Sequence, residues 1–399
     1  MRSLSVEILD GKSPAWREDV SCLRERLGAP SNPRLFPCHF LQSTLPKIGG
    51  LTLRASENGE AVAYAFVFPR RRGGYTIRIH RIPGTRNVDL DALRAEIREV
   101  LPGVSFSFYD PEEPQPYPRD CHLQLGGIEI GRPDEREAVA ARRLQNLVWQ
   151  PESEDDLYPS DLYSTTFGAA TSLVVRQGSE VLGFLFGFYR LGGPPLPQAW
   201  QLPPDLLRIE SQVAGVHPAH QNQGYAYHLK RLQAEQARRE GIRVIHWTVD
   251  PLLGRNARLN FSKLGAVSFR FVPDLYGFRN KLNRIRASRL EITWLLPDPA
   301  LLGAGPRDVV NLDDAKDIAI ANDGYREIRL DLKAPRLAFE IPEDWAALQN
   351  SDLETATHWR EATDTLFAAY LGPEDGRYLL TDVGQGRGRR YLVAQRIGL

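Results

Sequence analysis

The stretch Leu206–Ala226, LLRIESQVAGVHPAHQNQGYA, decides how the rest of the chain is read. Leu206–Val216 reads as a strand, and Gln223–Glu240 carries the three-and-four spacing of a helix, so a strand passes into a helix across one short loop. The first amides of a helix have no internal partners and lie at the positive end of its dipole, so such a turn can hold an anion. Gly224 places no side chain between backbone and ligand, and Ala226 is nearly as small. The spacing Gln-x-x-Gly-x-Ala differs from the Gly-x-x-x-x-Gly-Lys-Ser/Thr of a nucleotide triphosphatase, and no lysine follows to pair with a terminal phosphate. A diphosphate held by backbone is the better fit.

Working outward, strands are expected at Leu123–Ile130, Thr171–Arg176, Val181–Arg190, Val244–Val249, Ala266–Val272 and Leu290–Leu296, with helices at Asp134–Trp149 and Asn256–Leu264. The order is β-α-β-β-β-α-β-α-β-β. Before it, strands at Leu51–Ala55, Ala61–Phe68 and Tyr75–Ile82 form a meander, followed by a helix from Asp89 to Val100 and a strand at Val104–Tyr109. The Pro-rich stretch 111–118 reads as a linker or a surface loop and sets a boundary near 111–125. The last hundred residues read as strands at Glu327–Leu332 and Arg336–Ile341, a helix from Asp352 to Leu371, and strands at Tyr378–Thr381 and Tyr391–Gln395. Three pieces follow: 1–125, 126–300 and 301–399. The first and last together repeat the coarse order of the middle, and are expected to form a decayed second copy of it.

With 399 residues the chain is long enough for two or three cores at roughly 150 residues each. Fifty basic and fifty acidic side chains cancel, which removes the footprint of a nucleic-acid binder. Cys22, Cys38 and Cys121 are odd in number and hold no CxxC pair, so neither a disulfide framework nor a thiolate zinc site is expected, and a reducing cytoplasm is the simplest location. The longest apolar run, Val181–Tyr189, is half the ~20 residues of a membrane span. His217, His220 and His228 lack the carboxylate or thiolate that would complete a zinc motif, and no metal is expected. GQGRGRR at 384–390 reads as a hairpin loop, and Arg70-Arg71-Arg72 as a solvated turn.

At the turn the sequence resembles the GCN5-related N-acetyltransferases (GNAT), whose signature is Arg/Gln-x-x-Gly-x-Gly/Ala after the fourth strand. The likeness continues through Trp247–Leu252, Asn256-Ala257, Leu259-Asn260, Lys263–Ala266, Tyr276-Gly277, Arg289-Leu290 and Trp294, in the manner of a bacterial subgroup of the superfamily. IPEDW at 341–345 and THWREA at 357–362 look like that subgroup's tail. The resemblance implies an α/β fold, a mixed and mostly antiparallel sheet flanked by helices, and acetyl-CoA or another acyl-CoA as co-substrate. The diphosphate would rest on the amides of Gln221, Asn222, Gln223, Gly224, Tyr225 and Ala226, and a backbone N–H of the strand ending at Val216 would polarise the thioester carbonyl. The acceptor would be a small-molecule amine such as an amino acid, with neither nucleic acid nor membrane as partner; a homodimer is an open alternative.

Glu210 lies eleven positions before Gln221, where the histone-acetyltransferase branch of the family has its general base. The alternative is a strand residue paired with Arg208 or another arginine. His217 and His220 read as loop residues near the diphosphate. Where much of the family carries a proton-donating tyrosine, this chain has Phe261, which cannot donate. Tyr276 is the first substitute and Ser262 the second, or the thiolate leaves unassisted; the alternative for Tyr276, and the weightier one, is a core or turn aromatic beside Gly277. Asn256 and Asn260 are candidates for the pantetheine arm, with Asn256 also a natural helix N-cap. An arginine such as Arg289 or Arg255 would suit the distal carboxylate of a succinyl donor. A non-catalytic acyl-CoA-binding or scaffolding protein is the reading of a different class.

Overall fold

The computed structural model describes residues 4–398 apart from 86–87, 152, 204, 277–282 and 297–306. It divides into two units, Met1–Gly193 with Asp205–Ala237, and Pro194–Pro204 with Arg238–Leu399.

The first unit opens with β1 (Leu4–Leu9), α1 (Trp16–Arg26), α2 (Leu45–Lys47), β2 (Leu51–Glu57), β3 (Glu60–Pro69), β4 (Gly74–Arg81), α3 (Leu90–Val100) and β5 (Ser105–Tyr109). These strands form one sheet in the order β1-β2-β3-β4-β5, antiparallel except where α3 crosses over and sets β5 parallel to β4. A second run follows: β6 (Leu123–Leu125), β7 (Ile128–Gly131), α4 (Glu135–Trp149), β8 (Thr171–Gln177), β9 (Glu180–Leu191), β10 (Leu207–Val216) and α5 (Tyr225–Arg239). Its strands pair antiparallel in sequence order. The start of α4 is fixed by a capping box between Asp134 and Glu137. Both runs share a core in which Phe36, Phe40, Phe66 and Phe68 pack with Tyr158, Phe186 and Phe188. Burying that much aromatic surface is what fuses the two runs into one unit.

The second unit contains β11 (Val244–Val249), α6 (Gly254–Ala257), β12 (Val267–Tyr276), β13 (Ala287–Leu295), β14 (Val310–Asn311), β15 (Ile318–Ile320), β16 (Asn322–Asp323), β17 (Glu327–Ile328), β18 (Arg336–Ile341), α7 (Trp345–Ser351), α8 (Leu353–Tyr370), β19 (Tyr378–Gly386) and β20 (Arg389–Arg396). β13 lies between β11 and β12, and β20 lies between β18 and β19, all antiparallel. Each set is therefore a strand, a helical segment and two strands with the last strand in the middle. β12 and β19 join the sets at Ser268 and Leu380.

The mixed α/β architecture, mostly antiparallel, is as expected, and each unit holds the same succession twice. The pairing nevertheless divides the chain elsewhere than at 125 and 300. The first unit runs through the Pro-rich loop, where Thr165 N donates to Pro116 O at 3.2 Å. The strands of 1–125 form a sheet of their own, while those of 301–399 belong to the second unit. β1 and α1 lie outside the elements expected from the sequence, and β17 keeps only two of the six residues expected at 327–332. Arg70 is not a solvated turn residue: its Nη1 donates to Ser107 Oγ at 2.6 Å.

Candidate functional site

β10 is a buried strand whose ladder with β9 runs from Leu207 opposite Leu191 to Val216 opposite Gly183. Between Glu210 and Val213 the register shifts, so Ser211 and Gln212 oppose the single residue Gly187. Such a bulge interrupts the ladder and re-aims the backbone beside it. The ladder ends where His217 N donates to Leu182 O at 2.8 Å; Pro218, without an N–H, cannot continue it.

The chain then takes a single 3₁₀ turn over Pro218–His220, capped by His217, whose Nδ1 accepts from Ala219 N at 3.2 Å. His217 thus builds the turn, and its ring lies edge-on to His220 with centroids 5.5 Å apart. Asn222 and Gly224 both adopt left-handed backbone, with φ of 65° and 86°. Asparagine tolerates this conformation and glycine has no penalty for it. A Cβ at Gly224 would meet nothing closer than His228 at 3.7 Å, so glycine is needed there for its backbone angle. Tyr225 Oη donates to Gln223 Oε1 at 2.7 Å and braces the loop. The first turn of α5 contains no acidic residue, and the helix is anchored by Leu229 and Leu232 against Ile130, Leu173, Val175 and Leu185. The result is a helix start held firmly at a strand end, with its positive end uncountered by any acid of its own first turn.

Glu210 is buried and held by two cations: Lys47 Nζ donates to Oε1 at 2.9 Å and Arg190 Nη1 to Oε2 at 2.7 Å. To accept a proton it must first exchange one of them. The ion pair expected as the alternative to a base is present, with Arg190 and Lys47 and in the interior rather than on a solvated strand. Beside Glu210, Ser211 Oγ accepts from Lys230 Nζ at 2.8 Å. Burial pushes the Lys230 ammonium down to about 7, against the pull of the Glu210 carboxylate. Burial likewise lowers His228 on the first turns of α5.

The remaining candidates lie in the second unit. Asn256 is inside α6, whose N-cap is Leu253, so its expected capping role is not the one observed. The helix expected through Leu264 becomes a π-helical turn at Arg258–Lys263. Asn260 is buried and its Oδ1 accepts from Trp247 Nε1 at 3.2 Å; Phe261 and Ser262 are buried beside it. Tyr276 closes β12 opposite Ala287, and its side chain lies outside the described residues, as does Gly277. Arg289 is engaged internally, donating to Ser288 O at 2.9 Å and approaching Asp250 Oδ2 at 3.5 Å. Asp250 also accepts from Arg360 Nη2 at 2.7 Å and Trp345 Nε1 at 3.2 Å, the arginines holding its carboxyl below the usual range despite burial.

The residues missed from sequence are Lys47, Arg190, Ser211 and Lys230. Arg190 and Lys230 did carry a signal, as charges among apolar neighbours in a buried strand and on an apolar helix face. Lys47, distant in sequence on a three-residue helix, carried none.

The Acetyltransferase (GNAT) family model matches residues 139–266, a span that contains the β10–α5 turn. Residues 139–266 carry the GNAT acetyltransferase family's sequence pattern. Among solved structures, yncA of Salmonella typhimurium with its cofactor acetyl-CoA is 18% identical, covering 45% of this chain and 99% of its own at a TM-score of 0.32. The ribosomal-protein-S18-alanine N-acetyltransferase of Escherichia coli is 14% identical over 43% of this chain and 95% of its own, TM-score 0.31. Ard1 of Thermoplasma volcanium is 11% identical over 43% and 99%, TM-score 0.31. No curated protein matches the chain. Within residues 139–266 the turn Gln221–Ala226 is the stretch that carries the signature found in the sequence. No helix among the described residues is long and apolar enough to cross a membrane.

Proposed function

We propose that the chain transfers an acyl group, acetyl or succinyl, from a coenzyme A thioester to the primary amine of a small molecule such as an amino acid. The observation that carries this reading is the β10–α5 turn. Left-handed Asn222 and Gly224 bring backbone amides to a helix start free of first-turn acids, which suits a diphosphate. A neutral amine then attacks the thioester carbon directly. The C–N bond forms as the C–S bond breaks, a backbone N–H near Val216 takes the oxyanion, and the thiolate leaves unassisted, which its unperturbed pKa of ~8.5 permits. The proton lost by the amine passes to Glu210 once a cation is exchanged. Asn256 and Asn260 are read as contacts for the pantetheine arm and Tyr276 as an alternative proton donor. Residues 1–125 and 301–399 are read as remnants of a second copy, supported by the repeated successions. Three unpaired cysteines fit a reducing cytoplasm.

The double ion pair on Glu210 and the apolar Phe261 favour a second reading, acyl-CoA binding without turnover. Thiol release from acetyl-CoA and succinyl-CoA, measured against free amino acids and polyamines, separates the two. Release that depends on one acceptor class supports the enzyme; tight coenzyme A binding with no release for any acceptor supports the binding protein. Failure to bind coenzyme A at all ends both.

A further inference from the structure

The bulge in β10 changes which side chains share a face. Glu210 stands opposite Phe188 and Val213 opposite Phe186, both rings of the aromatic core, while Ser211 turns the other way to Lys230 of α5. Gln212, the second of the two bulge residues, comes back to the core side, where its Nε2 donates to Tyr158 Oη at 2.9 Å. Glu210, Gln212 and Val213 therefore share one face, which an unbroken alternation would deny to Val213. Glu210 and Val213 are buried, and Gln212 between them is half-buried. Because Gln212 Nε2 is the donor to Tyr158, the phenol's own proton goes to His39 Nε2, 3.3 Å away. Burial, with Arg24 alongside, pulls the His39 imidazolium down to about 4, so the ring is neutral and able to accept. Tyr158 is itself fixed: its backbone N donates to Gln145 Oε1 at 3.0 Å, and its ring stands edge-on to Phe36 and Phe40. With the NH2 end of the Gln212 amide so held, the direction of its carbonyl end is set. Gln212 Oε1 accepts no hydrogen bond among the described residues and keeps access to solvent. An oriented acceptor atom with its lone pairs unspent thus stands two residues from Glu210, on the strand that leads into the diphosphate turn.

We propose that Gln212 Oε1 accepts the N–H that the acceptor's nitrogen keeps through the reaction, and that this contact restricts the acceptor to primary amines. The inference rests on the acyl-transfer reading and names what selects its substrate class. When a primary amine attacks the thioester, the C–N bond forms, the C–S bond breaks with its electron pair on sulfur, and one nitrogen-bound proton leaves to Glu210. The other stays on nitrogen, in the product amide, and has Gln212 to donate to. A secondary amine loses its single N–H in the same step and leaves Oε1 without a donor. His39 and Tyr158 are positioning residues that act through the amide they orient, so the N-terminal run has a part in acceptor choice.

The test uses the full chain with acetyl-CoA and the free primary amino acids and putrescine, each compared with its N-methyl derivative. For the acceptors used, kcat/KM is expected to favour the primary amine about 30-fold, and Gln212→Met, close in length, to cut that preference about tenfold with the coenzyme A Kd within twofold of wild type. Tyr158→Phe keeps Gln212 and removes only what holds it. The preference should then fall about threefold, and the double variant should fall no further than Gln212→Met alone, a non-additivity that lost packing would not produce. Thermal melts check that each variant folds, and Tyr158→Phe, which removes one oxygen, carries the test if Gln212→Met does not fold. No preference in the wild type, a preference that the variants leave unchanged, or additive losses overturn the proposal while leaving acyl transfer intact. If no acceptor releases thiol, the acyl-transfer reading fails, and calorimetry of the same pairs on coenzyme A-loaded protein decides the contact. Primary amines bound about threefold tighter than their N-methyl forms, with the difference lost in Gln212→Met or Tyr158→Phe, support it; equal affinities or absence of binding overturn it.

Discussion

The first unit contains two strand–loop–helix turns of the same succession, β4 into α3 and β10 into α5, and they end in opposite electrostatics. At α3 the N-cap is Asp89, whose carboxylate accepts from Asp91 N at 3.0 Å and Ala92 N at 3.1 Å, with Asp91 adding a second negative charge in the first turn. The chain has supplied its own anion. At α5 the first turn has no acid, and Asn222 and Gly224 turn the backbone left-handed ahead of it. The strands differ in the same sense. β4 buries Arg78, whose donors are absorbed by Asp161 at 2.6 and 3.2 Å, Arg34 O at 2.6 Å and His80 Nε2 at 3.0 Å. β10 buries the opposite charge, Glu210, which accepts from Lys47 Nζ at 2.9 Å and Arg190 Nη1 at 2.7 Å. The earlier turn carries its own anion at the helix start, and the later one does not.

The comparison can be broken in several ways. Glu210→Gln should lower kcat about 1000-fold with coenzyme A affinity within twofold of wild type, measured by thiol release and calorimetry; unchanged kcat would remove Glu210 from the proton path. Arg78→Met, its counterpart, should do the reverse, costing about 3–5 kcal/mol of stability in denaturant titration by stranding Asp161, with coenzyme A affinity intact in the folded fraction.

Lys230→Met sharpens the picture through pH. The ammonium's folded pKa of about 7 lies below its unfolded value, so the unfolded chain binds the extra proton between about pH 7 and pH 10.4. The penalty is fully present below pH 7 and is relieved as pH rises toward 10. The variant should therefore be more stable than wild type by ~3 kcal/mol at pH 6.5, with the gap closing by pH 10 in melts at both values. A gap independent of pH would mean that Lys230 is not held in a desolvated site.

Gly224→Val should weaken coenzyme A binding about 100-fold, because a β-branched residue is strained at φ of 86° and distorts the amides. Smallest is Asp89→Ala, expected to cost about 1 kcal/mol in a thermal melt and to leave coenzyme A at one per chain by calorimetry. A second equivalent bound by that variant would show that the cap alone closes the first turn.

Much of this was legible in the residues. Short, near-continuous apolar runs at Ala61–Phe68 and Val181–Arg190, bounded by turn residues, read as buried strands, and Gly224 before a helical pattern marks the turn, because run length and backbone freedom are local properties. Asp89 was legible too, as the residue opening a helix. Length hid α2, which spans three residues, too few for any period to register.

By itself, then, the sequence determined the order of elements from α4 to β13 and the GNAT signature of the β10–α5 turn, since these depend on residues within a few positions of one another. Tertiary structure alone decided that Lys47, 163 residues from Glu210, would reach its carboxylate, that Arg208 would face Arg190, and that the two runs of 1–193 would share one aromatic core. Such contacts follow from register and from the burial of whole faces, which bring together side chains that nothing in the linear chain marks as neighbours.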